Sequence, residues 1–371
     1  MDGLSVIICC HNSTLRLATT LGHLKEQESP GVPWEVLIID NASTDGTGEF
    51  AQSCWQNGPV PLRLIGESRL GVRYARERGF SEARYEFLAF VDDDNWIAHD
   101  WVRTAYGIIY SDSHLGAVGS VREPAFETAS PAWFDDVHSL YAVLTERDLD
   151  QMTGPLEYLP TAGLCVRKTA WNELIQNGFR FQLTGTVGEN LQGGEDAELT
   201  IALRLSGWKL RIDRRLTLRH FMPRHRLEWK YLCRLVRNYG TSHVLLDAYS
   251  EHSLSLGPGV RRWVSDRWWY QLVKSLGKVA QRPRTLLGAF SADCERQKER
   301  IEVEQQFGRA LGLLKLGRRY GTLRREIRLA PWRCADLSLT ARVSDCREAG
   351  KDLRNATEPE TMDTASGWTN L

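Results

Sequence analysis

The chain has 371 residues, 42% of them hydrophobic and 25% charged, which suits one large globular domain or two modest ones. Lys and Arg together number 47, as do Asp and Glu, so the net charge does not favour nucleic acid or an acidic polymer as a partner. We find no signal-peptide pattern and no apolar run of the roughly 18–20 residues that a membrane span requires. The eight cysteines lack metal-ligand spacing, so we expect a cytoplasmic protein with free thiols.

Predicted strands and helices alternate along the first 100 residues. Short apolar runs predict strands at 4–10, 34–39, 62–65 and 87–91, and helical spacing predicts helices at 13–28 and 70–83. This alternation predicts an α/β fold with a doubly wound, mostly parallel sheet flanked by helices.

The patterns after residue 100 are more mixed. We expect a helix at 101–110, strands at 117–120 and 164–166, a loose stretch at 124–160 and a helix at 193–205. Beyond residue 226 the chain is mainly helical and basic, and a polar tail beyond residue 351 is expected to be disordered.

Polar residues directly follow three of the predicted strands: His11-Asn12, Asp40-Asn41 and Asp92-Asp93-Asp94. Ligands of parallel α/β sheets bind beyond the carboxyl ends of the strands. The coincidence therefore predicts a nucleotide site at this edge, with Asp40 or Asn41 against a nucleobase or ribose. An ordinary turn and helix start is the alternative interpretation of the segment IIDNASTDGT.

The segment FVDDDNW places three carboxylates on one turn. Their mutual repulsion is relieved by a hard divalent cation with oxygen ligands, so the turn predicts a metal site. A solvated turn that caps a helix beginning near His99 is the alternative.

The segment GGEDAEL places Glu195 and Asp196 in the first turn of a helix. The helix dipole would keep a carboxylate ionised there, as a general base requires, although acidic residues at this position also simply complement the dipole. Glu195 projects near the middle of the apolar face and Asp196 near its edge, which favours Asp196 as the group that reaches a cleft.

Three tryptophans lie among arginines between residues 261 and 270. This mixture is typical of a membrane interface. It is also typical of an ordinary helix that packs its aromatic side chains inward, which is the interpretation we favour.

Together these segments resemble the family 2 glycosyltransferases of GT-A fold. SVIICCHNS resembles the opening strand of the family, IIDNASTDGT its nucleoside-binding turn, LGVRYARERGFSEARYEFLAFVDDDNW its metal-binding region and GGEDAELTIALRLSGWKL its catalytic-base helix. The resemblance runs to about residue 240. It implies a catalytic domain at 1–240, a helical, basic, Trp-containing region at 241–350 and a tail at 351–371.

The resemblance implies a metal-dependent, inverting transfer of a sugar from a nucleotide-diphosphate donor to a hydroxyl of a saccharide or lipid-linked acceptor. Mn²⁺ or Mg²⁺ would be the metal, and polysaccharide or glycoconjugate synthesis the setting. The implied roles are nucleoside contact for Asp40 and Asn41, ribose or metal-water contact for Asp92 and Asp93, metal ligation for Asp94 and His220, diphosphate contact for Arg76, and base catalysis for Asp196 of the Glu195-Asp196 pair.

Two positions depart from the family pattern. Cys9-Cys10-His11 stands where Pro-Thr-Tyr is usual, and Glu77 stands where Asn is common, so the nucleobase contacts stay open. A catalytically inactive carbohydrate-binding module on the same fold is an alternative. A sugar-1-phosphate nucleotidyltransferase is a weaker one, because a Gly-rich loop is missing after the first strand.

Overall fold

The computed structural model describes residues 1–152, 158–185, 193–250, 259–282 and 294–334. An eight-stranded sheet lies at the centre of this described part. Its strands are β1 (Leu4–Cys10), β2 (Trp34–Asp40), β3 (Leu62–Gly66), β4 (Phe87–Phe90), β5 (Asn95–Ile97), β6 (Leu115–Phe126), β7 (Leu164–Arg167) and β8 (Lys209–Met222).

The order of strands across the sheet is β3-β2-β1-β4-β7-β6-β8-β5. Strands β3, β2, β1 and β4 run parallel to one another, and β6 runs parallel to β8. Strand β7 is antiparallel to both of its neighbours, and the edge strand β5 is antiparallel to β8. The predicted α/β class with a mostly parallel sheet is confirmed.

Seven helices accompany the sheet in the described part of the chain up to β8. They are α1 (Leu17–Lys25), α2 (Thr47–Cys54), α3 (Val72–Glu82), α4 (Trp101–Ser111), α5 (Glu146–Gln151), α6 (Lys168–Gln176) and α7 (Glu195–Leu205). Successive side chains of a strand point to opposite faces of the sheet, so both faces of β1 are covered. Val6 packs in one core with Trp101 of α4, whereas Ile7 packs in the other with Phe80 of α3.

Some predicted elements differ in length or position from the observed ones. Helix α1 is shorter than the predicted 13–28, because Ser13 donates its hydroxyl to Asp93 and Leu15, expected on the apolar face, is fully exposed. The predicted strand 117–120 is the middle of the 12-residue β6. The acidic turn precedes β5, and α4 begins only at Trp101, so the turn does not cap this helix directly.

Helices α8 (Trp229–Leu246), α9 (Val260–Ser265), α10 (Trp268–Ala280), α11 (Cys294–Leu316) and α12 (Arg319–Arg328) follow the sheet. The predicted domain boundary at residue 240 falls inside α8. Helix α11 lies directly on α8, since a Cβ atom at Gly240 would overlap the carbonyl oxygen of Gln305. Arg309 of α11 also pairs with Asp247 at 2.6 Å.

The tryptophans of this region differ in their surroundings. Trp268 packs against a small core that includes Val244 and Tyr320, as the inward-packing interpretation predicts. Trp263 and Trp269 are instead 55% and 47% exposed. Within the described ranges, no helix combines the length and the apolar character that crossing a bilayer requires. The tail at 351–371 lies outside the described residues.

Candidate active site

The acidic turn lies between β4 and β5, and its carboxylates have different partners. Asp93 accepts a hydrogen bond from the Ser13 hydroxyl and pairs with Arg16 at 2.8 Å. Asp94 Oδ2 accepts from Arg226 Nη1 at 2.9 Å, and Asp94 Oδ1 lies 3.4 Å from His220 Nε2. Strand pairing places His220 opposite Asn95, next to Asp94, so the fold itself brings these side chains together.

The ionisation of the turn follows from these partners. Burial raises the pKa of Asp92 to about 6, although Arg76 opposes the shift. Burial would also raise the pKa of Asp94, but the neighbouring His220 and Arg226 side chains lower it well below its ordinary range. Asp94 is therefore the carboxylate of the turn that is most firmly held as an anion.

The turn after β2 is held by hydrogen bonds within itself and to the loop after β3. The Asn41 side chain donates to the carbonyl oxygens of Glu67 and Arg69 at 3.1 and 2.7 Å and accepts from the Gly71 amide at 2.8 Å. Asp40 Oδ1 accepts from the Ser43 amide at 3.1 Å. The sequence predicted nucleoside contacts here, and the structure gives both side chains intramolecular partners that shape this loop.

Helix α7 begins after Gly194, whose φ of 109° is one that L side chains rarely adopt. Glu195 is 5% exposed and accepts a hydrogen bond from Arg76, which also donates to Thr161 Oγ1 at 2.5 Å. Burial disfavours the Arg76 cation, but Glu195 outweighs this effect and raises the pKa of Arg76, so the guanidinium stays charged. Arg76, predicted to face a diphosphate, is thus bound to Glu195.

Asp196 has a more open environment than Glu195. Its side chain is half-buried, and Oδ1 accepts from the Ala197 amide of its own helix at 2.8 Å. One carboxylate oxygen of Asp196 is thus fixed by the backbone, and the residue lines the cavity described next.

A cavity of about 610 Å³ joins these groups at the carboxyl ends of β1, β2 and β4. This volume lies within the range of typical small-molecule sites. The described residues that line it include Asn41 but not Asp40. Its carboxylates are Asp92, Asp93, Asp94, Glu195 and Asp196; its cations are Arg16, Arg76, Arg226 and Arg234; and its aromatic residues include Tyr141, Tyr158, Tyr231 and Tyr239.

The comparison with protein families relates the first part of this architecture to a known family. Residues 5–172 match the model of glycosyl transferase family 2. Residues 5–172, a little under half of the chain, thus carry a family 2 glycosyltransferase domain.

Several proteins share parts of this domain. The uncharacterized glycosyltransferase YfnE of Bacillus subtilis is 38% identical over 98 residues, which cover 26% of this chain and 24% of that protein. The succinoglycan biosynthesis protein ExoM of Rhizobium meliloti is 24% identical over 241 residues, covering 64% of this chain and 73% of that protein. Thus the alignment with YfnE reaches about a quarter of its length.

Among solved structures, the chain resembles the mannosyltransferase PcManGT from Pyrobaculum calidifontis, determined in complex with GDP-Man and Mn²⁺. The TM-score is 0.54 at 15% identity, covering 83% of this chain and 86% of that one. This likeness supports the GT-A type fold. The family 2 match ends at residue 172, before α7 and β8, so Glu195, Asp196 and His220 lie outside it.

The family resemblance implies a divalent metal, which side chains of the cavity would have to ligate. In the described part of the chain, no three His, Cys, Asp or Glu side chains form a ready metal cluster. Asp94 Oδ1 and His220 Nε2 nevertheless lie 3.4 Å apart on the cavity wall, close to the roughly 3 Å that separates two ligands with metal bonds of about 2.1 Å. Two protein ligands leave positions for phosphate oxygens and water, as Mg²⁺ sites commonly do. The residues therefore fit the metal.

Arg16, on Asp93, and Arg226, on Asp94, are site residues that were not predicted from the sequence. Arg16 lay within a predicted helix, and Arg226 lies in a basic run that includes Arg224. Neither segment has a local pattern that indicates a partner. Thr161, which holds Arg76, is likewise an unremarkable loop residue in the sequence.

Proposed function

We propose that this chain is a metal-dependent, inverting glycosyltransferase that moves a sugar from a nucleotide-diphosphate donor to an acceptor hydroxyl, in polysaccharide or glycoconjugate synthesis. The observation that carries the proposal is the cavity in which the ionised Asp94 and the half-buried Asp196 are brought together. The GDP-Man and Mn²⁺ bound to the mannosyltransferase of the same fold, and the succinoglycan role of the relative ExoM, agree with it.

Asp196 is proposed as the general base. Its carboxylate takes the proton of the acceptor hydroxyl while that oxygen forms a bond to the anomeric carbon and the bond to the diphosphate breaks. A single displacement of this kind inverts the anomeric configuration. Glu195, fixed by Arg76, positions the start of α7 and with it the base.

Asp94 and His220 would hold the metal, which when bound supplies Lewis-acid stabilisation of the negative charge that develops on the leaving diphosphate. Asp92 and Asp93 lie on the same turn, where contacts to ribose or metal-bound water are proposed. Asp40 and Asn41 support the nucleoside side of the cavity through the loop contacts described above.

A lipid-linked acceptor would be presented at a membrane surface, and we extend the proposal to peripheral contact there. The residues concerned are exposed apolar and basic side chains of α9 and α10, which include Trp263, Trp269, Val273 and Lys274. The cysteines whose side chains the structure describes are free, which agrees with the proposed location on the cytoplasmic side.

The function can be tested by thermal shift with a panel of nucleotide-diphosphate sugars. The correct donor should raise the melting temperature in the presence of Mn²⁺ or Mg²⁺, because a ligand that binds only the folded state stabilises it. Excess chelator and Asp94→Asn should both abolish the shift and the transfer of sugar. Full activity in excess chelator would rule out the metal assignment.

Asp135→Asn is the matched control, since this carboxylate is exposed and does not line the cavity. It should retain the shift. Hydrolysis assays with the same panel test the first alternative, because a catalytically inactive module would bind a sugar without turnover. A separate assay with a nucleoside triphosphate and a sugar 1-phosphate tests the second, because a nucleotidyltransferase would release pyrophosphate from them.

A further inference from the structure

Arg226 contacts the residue that is expected to hold the metal. Its Nη1 donates to Asp94 Oδ2 at 2.9 Å, while the other oxygen of Asp94 faces Asn95 Nδ2 at 3.2 Å and His220 Nε2 at 3.4 Å. Asp94 is only 4% exposed. A guanidinium therefore occupies one side of the proposed metal ligand.

Arg226 and a divalent cation would compete at this carboxylate. Both are positive, and like charges near a buried group are poorly screened, so bringing a metal to Asp94 next to the guanidinium is unfavourable. The competition is relieved if the guanidinium moves to another anion. The ion pair of Asp94 with Arg226 is therefore expected to weaken the affinity of Asp94 for a metal when no other anion is present.

A diphosphate could bind both the metal and the Arg226 guanidinium. Its oxygens coordinate hard divalent metals, and the planar fork of an arginine matches phosphate oxygens. The Arg226 side chain is 25% exposed and lines the cavity, so it can reach a ligand there. The side chain can reorient while its backbone stays fixed, because the Arg226 carbonyl accepts from Tyr141 Oη at 3.1 Å and Leu227 is buried.

Two other arginines of the cavity, Arg76 and Arg16, are less suited to such a transfer. Arg76 is 6% exposed and engaged by Glu195 and Thr161. Arg16 pairs with Asp93, which also accepts from Ser13 and is not the assigned metal ligand. Of these three arginines, Arg226 is the one that pairs with Asp94, the proposed metal ligand.

We propose that Arg226 is a diphosphate-binding residue whose guanidinium leaves Asp94 for the diphosphate when the donor binds, so that the metal and the diphosphate bind cooperatively. The inference rests on the proposed function, because it requires Asp94 to be the metal ligand. Coupling of this kind is reciprocal: the metal strengthens diphosphate binding by the same factor as the diphosphate strengthens metal binding. The donor and the metal would then bind together, rather than the metal first and the donor second.

Calorimetric titration of the full chain tests the coupling, with Mn²⁺ alone and the preformed complex of Mn²⁺ and inorganic pyrophosphate as titrants. For the unaltered protein, the complex should bind about tenfold or more tightly than Mn²⁺ alone, within the usual range of coupling between two ligands. In Arg226→Gln, Mn²⁺ alone should bind several-fold more tightly, because the competing charge is gone. The complex should bind about tenfold more weakly, because a phosphate contact is lost.

Arg224→Gln is the matched control, since this exposed arginine lies on the same turn, and both affinities should stay unchanged. Arg226→Lys provides a second variant if the glutamine variant does not fold. It keeps the charge without the fork, so weak binding of Mn²⁺ should persist while the complex loses affinity.

The outcomes separate this inference from the function beneath it. Unchanged affinities in folded Arg226→Gln, with Asp94→Asn losing both, would overturn the role of Arg226 and leave the metal site intact. Failure of the unaltered protein to bind either titrant, or binding that survives in Asp94→Asn, would overturn the metal assignment as well.

Discussion

At the start of helix α7, two neighbouring carboxylates have different surroundings. Glu195 is 5% exposed and bound to Arg76, whereas Asp196 is half-buried and faces the cavity. This difference agrees with the sequence-based expectation that Asp196, rather than Glu195, is the base. The assignment of the base stays a prediction.

Substitution of the two residues should have different effects. Asp196→Asn should lower the transfer rate by about 10²–10⁴ while leaving donor affinity and the melting temperature nearly unchanged, because only proton removal is lost. Glu195→Gln should retain more activity but lower the melting temperature, because the buried Arg76 cation loses its charged partner. Rate assays and thermal unfolding of both variants check this, and the reverse pattern would exchange the two roles.

A second buried carboxylate of the same helix predicts a pH dependence of stability. Glu198 accepts from Tyr249 Oη at 2.5 Å and from the amides of Gln182 and Leu183. Burial outweighs these donors and raises its pKa from the ordinary 4.5 to about 7.

The native state therefore holds this proton more tightly than the unfolded chain. The contribution of Glu198 to stability is full below pH 4.5 and is lost as the pH rises towards 7, with a slope of at most about 1.4 kcal/mol per pH unit. The free energy of unfolding, measured by denaturant titration across this range, should show the loss. In Glu198→Gln this component should disappear; an identical pH profile in the variant would contradict it.

At the scale of elements, the contact between α8 and α11 depends on glycine. A Cβ atom at Gly308 would overlap the backbone carbonyl of Arg237, so the two helices approach more closely than any side chain would permit. This packing joins the predicted catalytic part of the chain to the helices that follow it.

Gly308→Ala should therefore destabilise the protein by about 1–3 kcal/mol, as overpacked cores do. Gly277→Ala is the matched control, because it lies in helix α10 with no atom within 4 Å of its added Cβ. It should stabilise the protein by up to about 1 kcal/mol, since alanine favours helices over glycine. Denaturant unfolding of both variants measures the difference; equal stabilities would show that α11 does not pack tightly on α8.

At the scale of the whole molecule, the exposed apolar and basic side chains of α9 and α10 predict binding to anionic membranes. Trp269, Val273 and Leu276 are 47%, 64% and 48% exposed, and the neighbouring Lys274 and Lys278 are exposed as well. Basic residues near an anionic surface contribute about 1 kcal/mol each, and apolar side chains insert at the interface.

The protein should sediment with vesicles that contain phosphatidylglycerol at low salt and be released at high salt. The double substitution Lys274→Glu and Lys278→Glu should abolish sedimentation, whereas Lys25→Glu on helix α1 should not. If the unaltered protein stays in the supernatant at low salt, the membrane proposal is wrong.

The sequence by itself predicted the parallel half of the sheet and the acidic turn, because both are local patterns. Strands β1 to β4 are short apolar runs, and Asp92, Asp93 and Asp94 are consecutive. Helix α6 and the full length of β6 and β8 were not predicted, since their apolar residues alternate with arginines or lie in short stretches without clear periodicity.

The tertiary structure alone decided which charges face one another. Arg76 and Glu195 are 119 residues apart, and Arg226 and Asp94 are 132 apart. A charged side chain has no periodicity that indicates its partner, so such pairs exist only once the sheet brings β4, β8 and α7 to one edge. The sequence determined the chemical groups of the site, and the fold determined that Asp94 is shared between His220 and Arg226 while Asp196 faces the cavity, because burial and Coulomb interaction depend on distance in space.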